Sequence, residues 1–140
     1  MFPSKHILYS FILCLVFYII LPYGEIFPYI IIFLSSVLID IDHYFIYVYR
    51  KKDFSLLNSW RWHMMLNKNE KERNKEIPFL HIFHTFEFIL LTFILSFFFK
   101  IFLWIFFGLI FHSFLDLKDM KRRKLYNTRE YLLIKALLKR

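Results

Sequence analysis

The chain has one cysteine, two glycines and four prolines in 140 residues. A single thiol, Cys14, excludes a disulfide framework, and no cysteine–histidine spacing of a zinc finger occurs. Gly24 and Gly108 are too few and too far apart for a glycine-rich phosphate loop. No internal repeat is visible in the sequence. Acidic residues are scarce beside basic ones, 11 against 19, for a net charge of +8. In a chain this apolar, that excess marks contact with anionic lipid headgroups, not with nucleic acid.

What is abundant is apolar and aromatic. The chain is 59% apolar, with 20 Phe, 9 Tyr and 3 Trp. That is far outside soluble-domain usage and points to an integral membrane protein of one domain. The fold class expected is all-α: a four-transmembrane-helix bundle with spans over residues 3–21, 26–49, 78–99 and 101–117. Each falls within the roughly 17–25 residues that a bilayer crossing needs. Pro3 can supply the first turn of the first helix, where proline is tolerated. One helix through both later stretches would be about 60 Å long, about twice the hydrocarbon core, so a tight hairpin near Lys100 is expected. Lys5 and the first apolar run resemble a signal peptide, but Leu21-Pro22-Tyr23-Gly24 offers no small-x-small cleavage site, so a retained span is expected.

Charge sets the orientation. Of the 19 Lys and Arg residues, all but Lys100 fall in the N-terminal segment, the loop 50–77 and the tail 118–140. The positive-inside rule then places both termini and that loop in the cytoplasm of an inner (plasma) membrane protein. Within the loop, Phe54–Leu66 mixes Trp, Met and Leu with Arg61 and His63, as an interfacial helix does, and Asn67–Glu76 reads as a polar linker. Trp60, Trp62 and Tyr126 read as interface anchors, and His63 as a surface residue. In the tail, Asn127 and Glu130 have capping-box spacing ahead of Tyr131, Ile134, Leu137 and Leu138, the pattern of an amphipathic helix on the inner leaflet or the bundle end.

Ionisable residues are costly in such spans unless paired. They nevertheless cluster toward the cytoplasmic end of every span: His6 in the first; Asp40, Asp42 and His43 in the second; His81, His84 and Glu87 in the third; His112 and Asp116 in the fourth. Asp40/His43, His81/His84 and His84/Glu87 are i, i+3, and His112/Asp116 is i, i+4, so each pair shares a helical face. In a regular helix Asp42 points away from Asp40. Imidazole and carboxylate without thiolate suit Zn²⁺, Mn²⁺ or Fe²⁺. The number of groups suits two divalent ions, zinc first, or one ion with further carboxylates orienting the histidines. A two-metal centre can activate water against a phosphoester, with Glu87 or a free carboxylate such as Asp42 as general base. Basic residues of loop and tail would hold anionic headgroups of membrane lipids.

Other readings use the same residues. A non-enzymatic divalent-metal sensor, chaperone or transporter needs the same ligands, although the apolar outer half of the bundle argues against a transport path. Bis-histidine haem fits poorly with carboxylates crowding the imidazoles. A scaffold would use the cluster only to hold helices together.

The segments "KHILYS", "LIDIDHY", "HTFE" and "FHSFLD" together resemble the small integral-membrane proteins known as membrane-bound metal-dependent hydrolases (YdjM-like). That family's pattern is an N-terminal His, an Asp-x-Asp-His segment, a His followed by Ser or Thr, and a His-x-x-x-Asp. The resemblance covers about residues 6–117 and implies metal-site roles for His6, Asp40, Asp42, His43, His84, His112 and Asp116. It also implies hydrolysis of a phosphoester in a lipid or membrane-associated substrate. Ile39 stands where many members have proline. An arginine that many carry in the third segment has no counterpart in His81-Ile82-Phe83-His84, which leaves Arg61 or the tail to hold a phosphate.

Overall fold

The computed structural model describes residues 3–20, 24–68, 81–123 and 132–134. Among these, helices and turns account for all regular structure. Helix α1 spans Pro3–Ile20, α2 Phe27–Leu38, α3 Ile41–Lys51 and α4 Leu56–Lys68. A 3₁₀ turn over Ile82–His84 leads into α5, Phe86–Ser96, and α6 runs over Lys100–Arg123. Proline opens two helices, Pro3 in α1 and Pro28 in α2, where its missing N–H has no helical partner to lose.

Helices α1, α2 and α6 meet around Cys14, Tyr29 and Ile32, with Phe17, Phe33 and Trp104 packed on that core. Gly108 of α6 makes the tightest crossing. A Cβ there would lie 2.6 Å from the Ile32 carbonyl oxygen and closer still to Ser35 Oγ. Small residues at the contact let the α2 and α6 backbones approach, as helix pairs in membranes require. Gly108 faces Ile32 and Ser35, and one turn later His112 meets Ser36, so α2 and α6 run parallel. His6 meets Asp116, whereas Cys14 meets Tyr29, so α1 runs against them. Phe93 packs on Phe106 while His84 reaches His112, so α5 also runs against α6. This down-and-up order brings the starts of α1 and α5 to the end where α2 hands over to α3.

The packing is inside out by the standard of a soluble domain. The largest fully buried side chains are His6, His112, Thr85, Ser10 and Ser36. Ile7, Phe11, Leu15 and Ile19 of α1, and Leu90, Leu91 and Ile94 of α5, face outward. Among the described residues, two helical segments are long and apolar enough to cross a membrane, Phe27–Lys51 with 25 residues and Lys100–Arg122 with 23. Ser4–Ile20 and Phe86–Ser96 are shorter apolar helices.

Several boundaries differ from the sequence expectations, each for a local reason. The second span is two helices, broken at Ile39–Asp40, with Asp40 at ψ 0° and the His43 N–H donating to the Asp40 carbonyl. The third is α-helical only over 11 residues, because Thr85 caps a new helix by accepting from Phe88 N–H at 3.3 Å. At 1.5 Å per residue that helix is about 16 Å long. A turn over residues 97–99 forms the hairpin before Lys100. The last span continues as helix to Arg123, past the expected limit at 117. Most of the polar linker, Tyr126 and the capping-box residues of the tail lie outside the described residues.

The segment expected to lie at the interface, Phe54–Leu66, forms helix α4 over most of its length. Lys52 ends α3 in the left-handed conformation, and Asp53 then organises the reversal. Asp53 accepts from Tyr47 Oη, from Ser55 N–H at 2.9 Å and from Asn58 Nδ2 at 2.9 Å. These bonds hold the Asp53 carboxyl below the usual carboxylate range. Ser55 caps α4 through Asn58 N–H. Trp62 and Leu66 are buried against Tyr47, so Trp62 is a packing residue rather than an interface anchor; Trp60 is exposed.

Candidate metal centre

Five imidazoles and three carboxylates converge where the starts of α1 and α5 meet the α2–α3 break and the lower part of α6. They are His6, His43, His81, His84 and His112, with Asp40, Asp42 and Asp116. The break at Ile39–Asp40 explains how two aspartates two residues apart share one site. A regular helix would send Asp42 away from Asp40. With the turn between α2 and α3, both carboxylates face the same imidazoles.

His112 is fixed first. Its Nδ1 donates to the Ser36 carbonyl at 2.7 Å, and its ring stacks on His6 with centroids 4.1 Å apart and planes 12° apart. With the proton on Nδ1, Nε2 carries the free lone pair. His84 is set the same way by a different partner. Its Nδ1 meets Asp42 Oδ2 at 3.0 Å, and its Nε2 points to His112 Nε2 at 3.3 Å. Thr85, fully buried beside it, holds the backbone by capping α5 and by donating to the Ile82 carbonyl at 2.8 Å.

Asp40 Oδ1 completes a triangle with these two nitrogens, 3.4 Å from His84 Nε2 and 3.4 Å from His112 Nε2. It also lies 3.3 Å from His43 Nε2. Asp116 Oδ2 lies 3.7 Å from His112 Nε2 and 3.9 Å from His84 Nε2, and its other oxygen accepts from His6 at 3.1 Å. On the far side of His84, Asp42 Oδ1 meets His81 Nδ1 at 3.4 Å. Four overlapping groups within this assembly bring their ligand atoms close enough to hold an ion: His6/Asp40/His112, Asp40/His43/His84, Asp42/His43/His81 and His84/His112/Asp116.

The donor set fits a cation on two grounds. First, a tetrahedral ion with bonds of about 2.0–2.1 Å separates its ligands by about 3.3–3.4 Å, the edge lengths of the His84–His112–Asp40 triangle. Second, with the imidazoles neutral, three carboxylates would leave negative charge in an apolar bundle, and the two Nε2 lone pairs would face each other. A divalent ion removes both costs. Asp40 and His43 retain 24% and 29% side-chain exposure, while His84 and His112 are buried, so the assembly is open to the surface on the Asp40–His43 side.

All eight side chains named from the sequence as metal candidates lie in this one assembly. Glu87 does not belong to these groups; its Oε1 accepts from Ile134 N–H at 3.5 Å. The helical face expected to join His81, His84 and Glu87 is absent, because His81 is extended, His84 closes a 3₁₀ turn and Glu87 starts a separate helix. Sequence reasoning misses His63 as a neighbour of the site. It is half-buried, its Nε2 donates to the His43 carbonyl at 2.9 Å, and its ring lies 5.0 Å from that of His43. His63 stands between Trp62 and Met64 in a segment of mixed composition, so no spacing in the sequence ties it to His43.

Comparison with models of known protein families, with curated proteins and with solved structures gives no match, so the reading of this centre rests on its own residues.

Proposed function

We propose that the chain is a metal-dependent membrane hydrolase acting on a phosphoester at the cytoplasmic face. The observation that carries this reading is the triangle of His84 Nε2, His112 Nε2 and Asp40 Oδ1, with edges of 3.3, 3.4 and 3.4 Å. In this reading His84, His112, Asp40 and Asp116 hold one divalent ion, and Asp42, His43 and His81 offer ligands for a second. A divalent cation there would supply Lewis acidity toward a phosphoryl oxygen and activate water. The chain's own residues do the rest. Ser36 and Asp42 fix which nitrogen of His112 and His84 faces inward, and Asp42 therefore orients rather than abstracts a proton. Partial exposure of Asp40 and His43 leaves a way in for substrate, which favours chemistry over metal storage.

The same reading sets all four helices α1, α2–α3, α5 and α6 in the bilayer, with α5 as a short arm whose polar start stays among the imidazoles. The outward apolar faces and the buried polar ones support it. Its resemblance to the membrane-bound metal-dependent hydrolases points the same way. Elemental analysis of the detergent-purified protein tests the metal, and turnover of phosphoesters by the loaded protein tests the chemistry. Near-stoichiometric Zn, Mn or Fe that is lost in His84→Ala and Asp40→Ala supports the centre. Metal without turnover of any phosphoester leaves the non-enzymatic reading, and no metal after reconstitution sinks both.

A further inference from the structure

Beside the polar assembly, α5 and α6 enclose a cavity of about 460 Å³. That lies within the roughly 300–1,000 Å³ of small-ligand sites. Its length is apolar, with Ile89 and Phe93 of α5 across from Phe106 and Ile110 of α6. Its end is polar, formed by His84, Ser113 and Asp116. Leu90, Ile110 and Leu117 line it and are also exposed on the outer surface, so the cavity opens sideways onto the apolar exterior. Ser113 Oγ is buried and has no hydrogen-bond partner among the described residues.

We propose that this cavity binds one acyl chain of an anionic phospholipid, with the phosphate headgroup against the His84–Asp116 end. The headgroup part rests on the metal reading above, because Asp116 alone would repel a phosphate and a cation beside it attracts one. An amphiphile matches the gradient from polar end to apolar length. A helix from a second copy does not, since it would seal His84 and Asp116 under hydrocarbon. Lys118, exposed immediately beyond Leu117, adds positive charge near the headgroup end. Hydrocarbon surrounds the chain whether it lies in the bilayer or in the groove, so the groove's effect is on position more than on affinity.

The test is therefore positional. The full chain is placed in phosphatidylcholine vesicles containing phosphatidic acid with a diazirine at the end of one acyl chain. Adducts are mapped after photolysis, and metal content is measured on the same samples. The expected result is adducts concentrated on Ile89, Phe93, Phe106 and Ile110, stronger than with a phosphatidylcholine probe. They are lost in Ile110→Trp and in the rim variant Leu90→Trp, both with metal content intact. Adducts spread over the α1 exterior, equal labelling by the two probes, or labelling unchanged in both variants would overturn the inference while the metal reading stands. Groove adducts in a protein that carries no metal would keep the acyl subsite and overturn the metal reading.

Discussion

His84 Nε2 and His112 Nε2 lie 3.3 Å apart, and each ring is oriented from behind, one by Asp42 and the other by the Ser36 carbonyl. The two supports differ in kind. A backbone carbonyl cannot be removed by substitution, but the Asp42 carboxylate can. Asp42→Asn keeps the shape and removes the charge that makes His84 basic. Loss of such an outer partner costs about 10–100-fold in metal affinity. Competition against a chelator of known affinity should show a drop of that order in Asp42→Asn for the ion held by His84, His112, Asp40 and Asp116, with helix content unchanged. Wild-type affinity would mean that Asp42 does not orient His84.

Gly108 controls the distance between α2 and α6, and hence the register of His112 against Ser36. A methyl group there meets the Ile32 carbonyl at 2.6 Å, and backbone cannot swing aside as a side chain can. Gly108→Ala should cost about 1–3 kcal/mol through overpacking. It should also weaken metal binding, because His112 sits one turn away on the same face. Thermal unfolding in detergent with and without added metal checks both effects. Ser35→Ala in the same chain relieves one clash but not the carbonyl contact, so rescue should be partial.

Thr85 is fully buried at the junction between the 3₁₀ turn and α5. Thr85→Ala removes the cap on Phe88 N–H and the bond to the Ile82 carbonyl. A lost N-cap costs about 0.5–2 kcal/mol. Because His84 is the preceding residue, metal affinity should fall as well. Thr85→Ser keeps the hydroxyl and should restore most of both. Equal loss in the serine variant would assign the effect to the methyl group instead.

The eight converging side chains were legible because each lies near the same end of an apolar stretch, and charge distribution fixed which ends belong together. Helical character was legible from the apolar runs themselves, because a run that crosses a membrane has to satisfy its own backbone. The breaks were not. Nothing in Leu38-Ile39-Asp40-Ile41 signals a turn, since neither glycine nor proline is present. The turn follows from what the side chains reach, with both aspartates drawn toward imidazoles on other helices. Thr85 reads as one more residue in an apolar run until its cap is seen, and the role of Gly108 depends on a neighbouring helix that sequence spacing does not reveal.

His63, in α4 and outside the helices long and apolar enough to cross a membrane, gives a pH prediction. Burial, and then the neighbouring His43 imidazole, push its pKa down to about 4. In the unfolded chain it titrates near its ordinary value of about 6.5. Well above that pH neither state carries the proton, so His63 contributes no pH dependence. As pH falls from about 6.5 toward 4, the unfolded chain takes up a proton that the folded chain refuses, and stability drops. Below about 4 both states are protonated and the slope ends. His63→Gln keeps a donor for the His43 carbonyl and does not titrate. Denaturation midpoints of the two proteins should therefore run parallel above about pH 6.5 and converge or cross below it, with the wild type losing more. Curves that stay parallel down to about pH 4 would mean that His63 titrates in the fold as it does in water, and that α4 does not shield it.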